Sequence, residues 1–212
     1  TASNTEGSFS DLWIRSNDAW PAIRKQYGER IYAFQHHTLS SDPIQNAVAL
    51  VEALPEKAEL DVISHSRGGL IGELLCRKRV MRTISAEQSP FDEIDRACFS
   101  QKKEYVQQLK SLNQLCKLLV VKHITVRKFI RVGCPAGGTT LLSDRLDRFL
   151  NMFSMAIKLA GGPRALVVSA LLGKFVVGAI KARADVRSFP GLEAMIPGSA
   201  LMQILNRPGC AV

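Results

Sequence analysis

The run from Leu60 to Gly72, LDVISHSRGGLIG, limits the fold more than any other part of the chain. Glu59 to Ser64 (ELDVIS) is aliphatic and β-branched enough to read as a buried strand. After Gly68 and Gly69, apolar Leu70, Ile71, Leu74 and Leu75 recur at helical spacing, and the helix is expected to run on to Arg79. Only Ser64-His65-Ser66-Arg67-Gly68 lies between the two, which leaves no room for a loop. A strand that passes directly into a helix must turn within a few residues, and the flanks of that turn must be small enough to clear the neighbouring strand and the helix. Ser64 and Gly68 meet this demand. Ser66 sits at the apex, where its hydroxyl is lifted above the sheet edge. The helix N-terminus beneath it supplies a positive dipole and free N–H groups.

The surrounding sequence repeats the alternation. Arg30 to Gln35 (RIYAFQ) reads as a short buried strand. Ser41-Asp42-Pro43 is a helix start, with a capping side chain and a proline for the first turn. Ile44, Ala47, Val48, Val51 and Leu54 then fall on one face, and Pro55 closes the helix. Strand, helix, strand, helix in succession predicts an α/β chain with a parallel sheet flanked by helices. Glu104 to Val120 is a further helix. Arg127 to Gly133 is a third strand, broken sharply by Cys134-Pro135-Ala136-Gly137-Gly138-Thr139. Residues 1–12 are small and polar and read as a loop, Asp11 to Tyr27 as a short helix or two broken turns. Residues 80–100 show little periodicity. Two apolar helical stretches, Leu146 to Leu159 and Ala165 to Ile180, are split by Gly161-Gly162-Pro163. The second is too short and too interrupted, by Lys174, for a membrane span.

Bulk properties remove several function classes. The 212 residues are 46% hydrophobic and 22% charged, so the chain has enough apolar mass to fold. The net charge of +9 would suit a phosphate backbone or an anionic membrane surface. The basic residues are scattered, however, and the densest group, Arg77-Lys78-Arg79 with Arg82, follows a predicted helix, where cations complement the dipole. No nucleic-acid-binding motif accompanies them. Specific nucleic-acid binding is therefore not expected; peripheral membrane contact stays open, resting on charge and the apolar stretches. The five cysteines (Cys76, Cys98, Cys116, Cys134, Cys210) include no CxxC pair, so neither a disulfide framework nor a metal site is expected, and no cofactor is implied. Free thiols and a first segment without a signal-peptide pattern suggest a reducing, cytoplasmic setting.

The turn has the form of a nucleophile elbow, with serine in place of the first glycine of G-x-S-x-G. HSRGGL around Ser66 resembles the H-S-x-G-G-L run of bacterial lipases and esterases. Val132-Gly133-Cys134-Pro135 with Gly137-Gly138-Thr139 resembles their segment after the next strand. Gly191-Leu192 through Met195, Pro197, Ser199, Leu201, Leu205 and Asn206 is similar to their stretch after the lid. The order agrees over most of residues 28–206, and the nearest likeness is to the lipase-like α/β-hydrolase domain of large bacterial multidomain proteins, some of which carry caspase-like (CHAT) peptidase domains.

The resemblance implies a single α/β-hydrolase-like domain. Its core would comprise about 1–80 and 124–140, with a helical insertion at about 81–123. Apolar lid helices would cover about 141–186, followed by a post-lid segment, 187–212. It implies a serine esterase acting on a small-molecule or lipid-like ester. Ser66 would be the nucleophile and the Arg67 backbone N–H an oxyanion donor. Thr1, His36, His37, His65, Cys134 and Pro135 are candidate pocket-lining residues. In the family the catalytic acid and histidine follow on later strands, and an oxyanion loop precedes a Gly-Ser-Phe segment like that in TASNTEGSFSD. The chain is accordingly expected to be incomplete at both ends and inactive alone, with its acid and base in further parts of the same polypeptide. Inside the chain, His65 reads as a packed neighbour of the turn, and His36 and His37 as either pocket-lining or loop residues. His123 falls at the amino end of a strand, away from the site rim. Asp144 and Asp147 are open between an acid and a solvated helix start. Cys134 reads as a small buried hydrophobe. The competing reading is a non-catalytic relative that binds or scaffolds.

Overall fold

The computed structural model describes residues 5–37, 40–77, 90–139 and 190–208. Thr1, Asp144, Asp147, Cys210 and both apolar stretches of 146–180 lie outside them. The described residues fall into two compact units, one holding 5–36 and the other 37–139 and 190–208.

The first unit contains α1 (Thr5–Ile14) and α2 (Ala19–Tyr27). The expected loop over residues 1–12 is thus corrected from Thr5 onward. Polar small residues begin α1, but the rings of Phe9 and Trp13, one turn apart, lie 6.4 Å apart in a tilted pair, and Trp13 meets Trp20 edge-on at 6.0 Å. Such i,i+4 aromatic contacts support a helix that its first residues do not advertise. The strand expected over 30–35 is not formed; residues 30–37 carry no regular structure. Their β-branched and aromatic composition is no substitute for a strand to pair with.

The second unit is a mixed α/β assembly, in agreement with the sequence. After α3 (Pro43–Ala53) come β1 (Glu59–His65) and α4 (Gly68–Cys76). They are followed by α5 (Glu93–Ser100) and α6 (Val106–Lys122), then β2 (Thr125–Val132). Two short helices, α7 (Pro190–Glu193) and α8 (Ala200–Leu205), complete the described chain. The strands β1 and β2 are parallel neighbours; Glu59 pairs with Thr125 and His65 with Val132, with one irregularity between Leu60 and Asp61. Helix α4 lies on this sheet and α3 packs on α4 and α6. The core is formed by Ile44, Val51, Leu70, Leu74, Leu112 and Leu115, joined by Phe91, Phe99, Leu201 and Ile204.

Capping explains the helix starts. Asp42 accepts from the N–H groups of Ile44 (2.8 Å) and Gln45 (2.9 Å), and Gln45 returns a contact to the Asp42 N–H at 3.2 Å. Asp92 and Asp95 form a similar box at α5, a helix the sequence periodicity did not reveal. A charged cluster, buried at Arg77 and Asp95, joins α5 to the region after α8. Asp95 pairs with Arg77 at 3.1 Å and with Arg207 at 3.3 Å, and Arg207 reaches Asp92 at 2.7 Å. Arg77 also donates to the Ile204 carbonyl and lies 5.3 Å from the Phe91 ring centre. Among the described residues no helix is long and apolar enough to cross a membrane. Among the described residues Cys76, Cys98, Cys116 and Cys134 form no disulfide.

Candidate active site

β1 delivers the chain to Ser66, and α4 begins two residues later. Ser66 takes φ 54°, the left-handed region that glycine tolerates and other residues avoid. The sharp turn is fixed from both sides. The Ser66 N–H donates to the Val132 carbonyl at 2.8 Å, tying the apex to the end of β2. The Ser66 carbonyl accepts from Gly69 N–H at 3.0 Å, and the Arg67 carbonyl from Leu70 N–H at 3.0 Å. The N–H groups of Arg67 and Gly68 stand ahead of the helix ladder, at the positive end of α4. Ser66 is half-buried at this apex.

Small residues line the approach of α4 to the strands. Ser64 is buried and donates to the Ile130 carbonyl at 3.3 Å. On the helix side Gly69 and Gly72 are tight positions. A Cβ on Gly69 would lie 2.2 Å from Cys134 Sγ, and one on Gly72 would lie 2.3 Å from the Phe129 ring. The glycines thus let α4 settle against β2. Glu73, buried one residue further, pairs with Arg131 of β2.

Of the sequence-derived candidates, Ser66, Arg67 and Cys134 are brought together at the carboxyl ends of the two strands. The Cys134 thiol is half-buried against Gly69, and burial pushes its pKa up to about 11, which suits a packing residue and not a thiolate. Pro135 opens a turn closed by Gly138 N–H to the Pro135 carbonyl at 2.9 Å. That turn docks on the segment after α7. Thr139 N–H donates to the Met195 carbonyl at 2.8 Å and Asn206 Nδ2 to the Ala136 carbonyl at 2.8 Å. Gly138, at φ 80°, leaves 3.0 Å between its missing Cβ and the Met195 oxygen. Ala136 and Thr139 therefore meet Asn206 and Met195, residues far along the chain.

The histidines are placed otherwise. His65 is exposed at the end of β1, and by strand alternation it is on the sheet face opposite Ser64. His123 is the left-handed residue that ends α6, at the amino end of β2, roughly 20–25 Å along the strand from the turn. His37 is exposed, and its backbone is held by Asn46, whose Nδ2 donates to the His37 carbonyl at 3.0 Å. His36 belongs to the first unit, with its ring stacked on Phe34 at 6.3 Å. Thr1 lies outside the described residues.

Sequence reasoning missed a polar group beside the turn. The Arg67 side chain is turned inward, 2% exposed, and donates to the Ser41 carbonyl. Burial lowers its pKa to about 10, a shift opposed by the nearby Asp42 carboxylate. Asp42 is itself pushed above the usual carboxylate range by burial, against the pull of the Gln45 and Ile44 N–H groups and of Arg67; Glu193 adds to the rise. Glu193 accepts from Tyr105 Oη at 2.7 Å and Gln108 Nε2 at 3.2 Å. Burial, then the Glu193 contact, raise the Tyr105 pKa. Asn46, a polar residue on the apolar face of α3, was the readable signal. Its buried amide also reaches the carbonyls of Ser41 (3.4 Å) and Asp42 (3.0 Å). Among the described residues no cluster of His, Cys, Asp or Glu could hold a metal ion.

A family profile described as Domain of unknown function (DUF7379) matches residues 1–99 and 93–211. The chain belongs to this family. No curated protein and no solved structure matches it. The family description names no activity, so function has to be argued from the turn itself.

Proposed function

We propose that this DUF7379 domain is the nucleophile-bearing part of a serine hydrolase acting on an apolar, lipid-like carboxylic ester, within an α/β-hydrolase fold. One observation carries the reading: Ser66 stands at φ 54° between a parallel strand and a helix N-terminus. A left-handed serine costs on the order of 1–2 kcal/mol that glycine would avoid at the same place. Keeping a hydroxyl at that cost has a rationale if the hydroxyl is used. Ser66 Oγ would attack the ester carbonyl while a base removes its proton, and the Arg67 N–H would steady the oxyanion. Collapse would expel the alcohol and leave an acyl-serine for water to hydrolyse. In this reading the base and its carboxylate come from parts of the polypeptide beyond these residues.

The test is labelling of the natural polypeptide containing this domain with a fluorophosphonate. Labelling that Ser66→Ala abolishes is the expected result. A folded polypeptide left unlabelled would sink the proposal. The 212-residue chain alone is expected to show negligible ester turnover. The places of His65, His37 and His123 favour a second reading, a domain that keeps the fold to bind a partner. Under it the complete polypeptide folds, stays unlabelled and hydrolyses no ester.

A further inference from the structure

Arg67 is badly placed for a residue kept for stability. It precedes α4, where the helix dipole disfavours a cation, and its guanidinium reaches the N-terminus of α3, where the same holds. It is buried at 2% exposure, and desolvation outweighs the help it receives from Asp42. Its Nε and Nη1 have no hydrogen-bond partner among the described residues. A partly satisfied buried guanidinium weakens a fold compared with an apolar side chain of the same length.

What the side chain does achieve is an anchor. Nη2 is tied to the Ser41 carbonyl, which Asn46 Nδ2 also holds at 3.4 Å, and the neighbouring Asp42 is locked by two N–H groups of α3. The anchored residue is the one directly after the left-handed Ser66, whose other side is already fixed to Val132. We propose that the Arg67 side chain is a positioning residue. By fastening to Ser41 beside Asp42, it sets the direction of its own backbone N–H toward the oxyanion and holds the strained apex against relaxing. This rests on the hydrolase reading above.

The experiment uses the natural polypeptide with Arg67→Met, which keeps the packing and removes the tether, and Arg67→Lys. Three quantities are read: the unfolding midpoint, kcat and KM for p-nitrophenyl butyrate, and amide hydrogen exchange in the peptide spanning 64–70 relative to α6. The Met variant is expected to unfold at or above the wild-type midpoint. Its kcat should fall roughly 100-fold, the scale of a misaimed group, with KM within about twofold. Exchange at 64–70 should quicken while α6 is unchanged, and Lys should restore part of kcat. A folded Met variant with wild-type kcat and wild-type exchange overturns the proposal. Should Met prevent folding, Asp42→Asn is the second variant: its midpoint should fall, because Arg67 loses the nearby carboxylate, and kcat should drop with quicker exchange at 64–70, while wild-type kcat with wild-type exchange is again the overturning result. A wild type inert toward the ester and toward fluorophosphonate defeats the hydrolase reading; exchange then decides alone. Faster exchange at 64–70 keeps Arg67 as the residue that holds the turn, and unchanged exchange rejects that too.

Discussion

The φ of Ser66 gives the turn a stability consequence separate from chemistry. Replacing it with glycine removes the left-handed penalty, so Ser66→Gly is expected to raise unfolding free energy by about 1 kcal/mol. Ser66→Ala keeps the Cβ and should not. Denaturant titration of the two variants compares them directly, and equal effects would show that the turn is unstrained. Gly69 works in the opposite sense. A methyl there meets Cys134 Sγ at 2.2 Å and Cys134 Cβ at 2.6 Å, so Gly69→Ala is expected to destabilise by about 1–3 kcal/mol. Adding Cys134→Ala removes the nearer of the two clashes and should recover part of the loss. If the double variant is no better than the single one, the contact is not what makes glycine necessary. Both positions lie in a stretch whose small residues were plain in the sequence. That Gly69 is so closely confined was not, because this depends on where Cys134, over sixty residues later, comes to rest.

At the level of elements, most of what can be read in advance comes from residues that act locally. Asp42 and Pro43 announced α3, and the apolar spacing of Leu112 and Leu115 announced α6, because caps and helical stripes work within a turn or two. β1 and β2 were legible from composition together with their abrupt ends. Residues 30–35 had comparable composition and form no strand, since pairing is decided by a neighbour the segment does not contain. Helix α5 was overlooked for the converse reason. It has eight residues, its N3 acid is Asp95 in place of the Glu or Gln of the familiar box, and Phe99 is its one buried large apolar side chain. Long-range side-chain links were beyond sequence reading altogether. Lys122, at the end of α6, donates from Nζ to the carbonyls of Val51, Glu52 and Leu54 at 3.0, 2.7 and 2.6 Å, closing the C-terminus of α3. A cation there also complements the negative end of that helix. Lys122→Met, which preserves the stem, is expected to lower stability by about 1–2 kcal/mol. The deficit should be specific to α3, with amides 51–54 exchanging faster than those of α4. A variant as stable as wild type would mean that water serves these carbonyls equally well.

On the scale of the α/β unit, the two faces of the sheet are unequal. Strands so rich in valine and isoleucine lead one to expect cover on both sides. Among the described residues α4 covers one face, where Phe129 packs on Gly72 and Ser64 lies under Gly69. Ile63 and Ile130, cross-strand partners on the other face, are 41% and 55% exposed. A two-stranded sheet has little stability of its own, so its order depends on the helix it carries. The energy that fixes Ser66 should therefore be concentrated on the α4 side. Adjacent residues of β2 separate the faces without changing the strand. Phe129→Ala is expected to cost about 2–3 kcal/mol, because a partly buried ring leaves a void beneath α4. Ile130→Ala, one residue along and on the open face, should cost about 1 kcal/mol or less, as for a half-exposed side chain and a small loss of β propensity. Denaturant midpoints at equal m-value give the comparison. Similar losses for the two would place something over Ile130 in the folded protein, and the helix N-terminus at Ser66 would then have a second support.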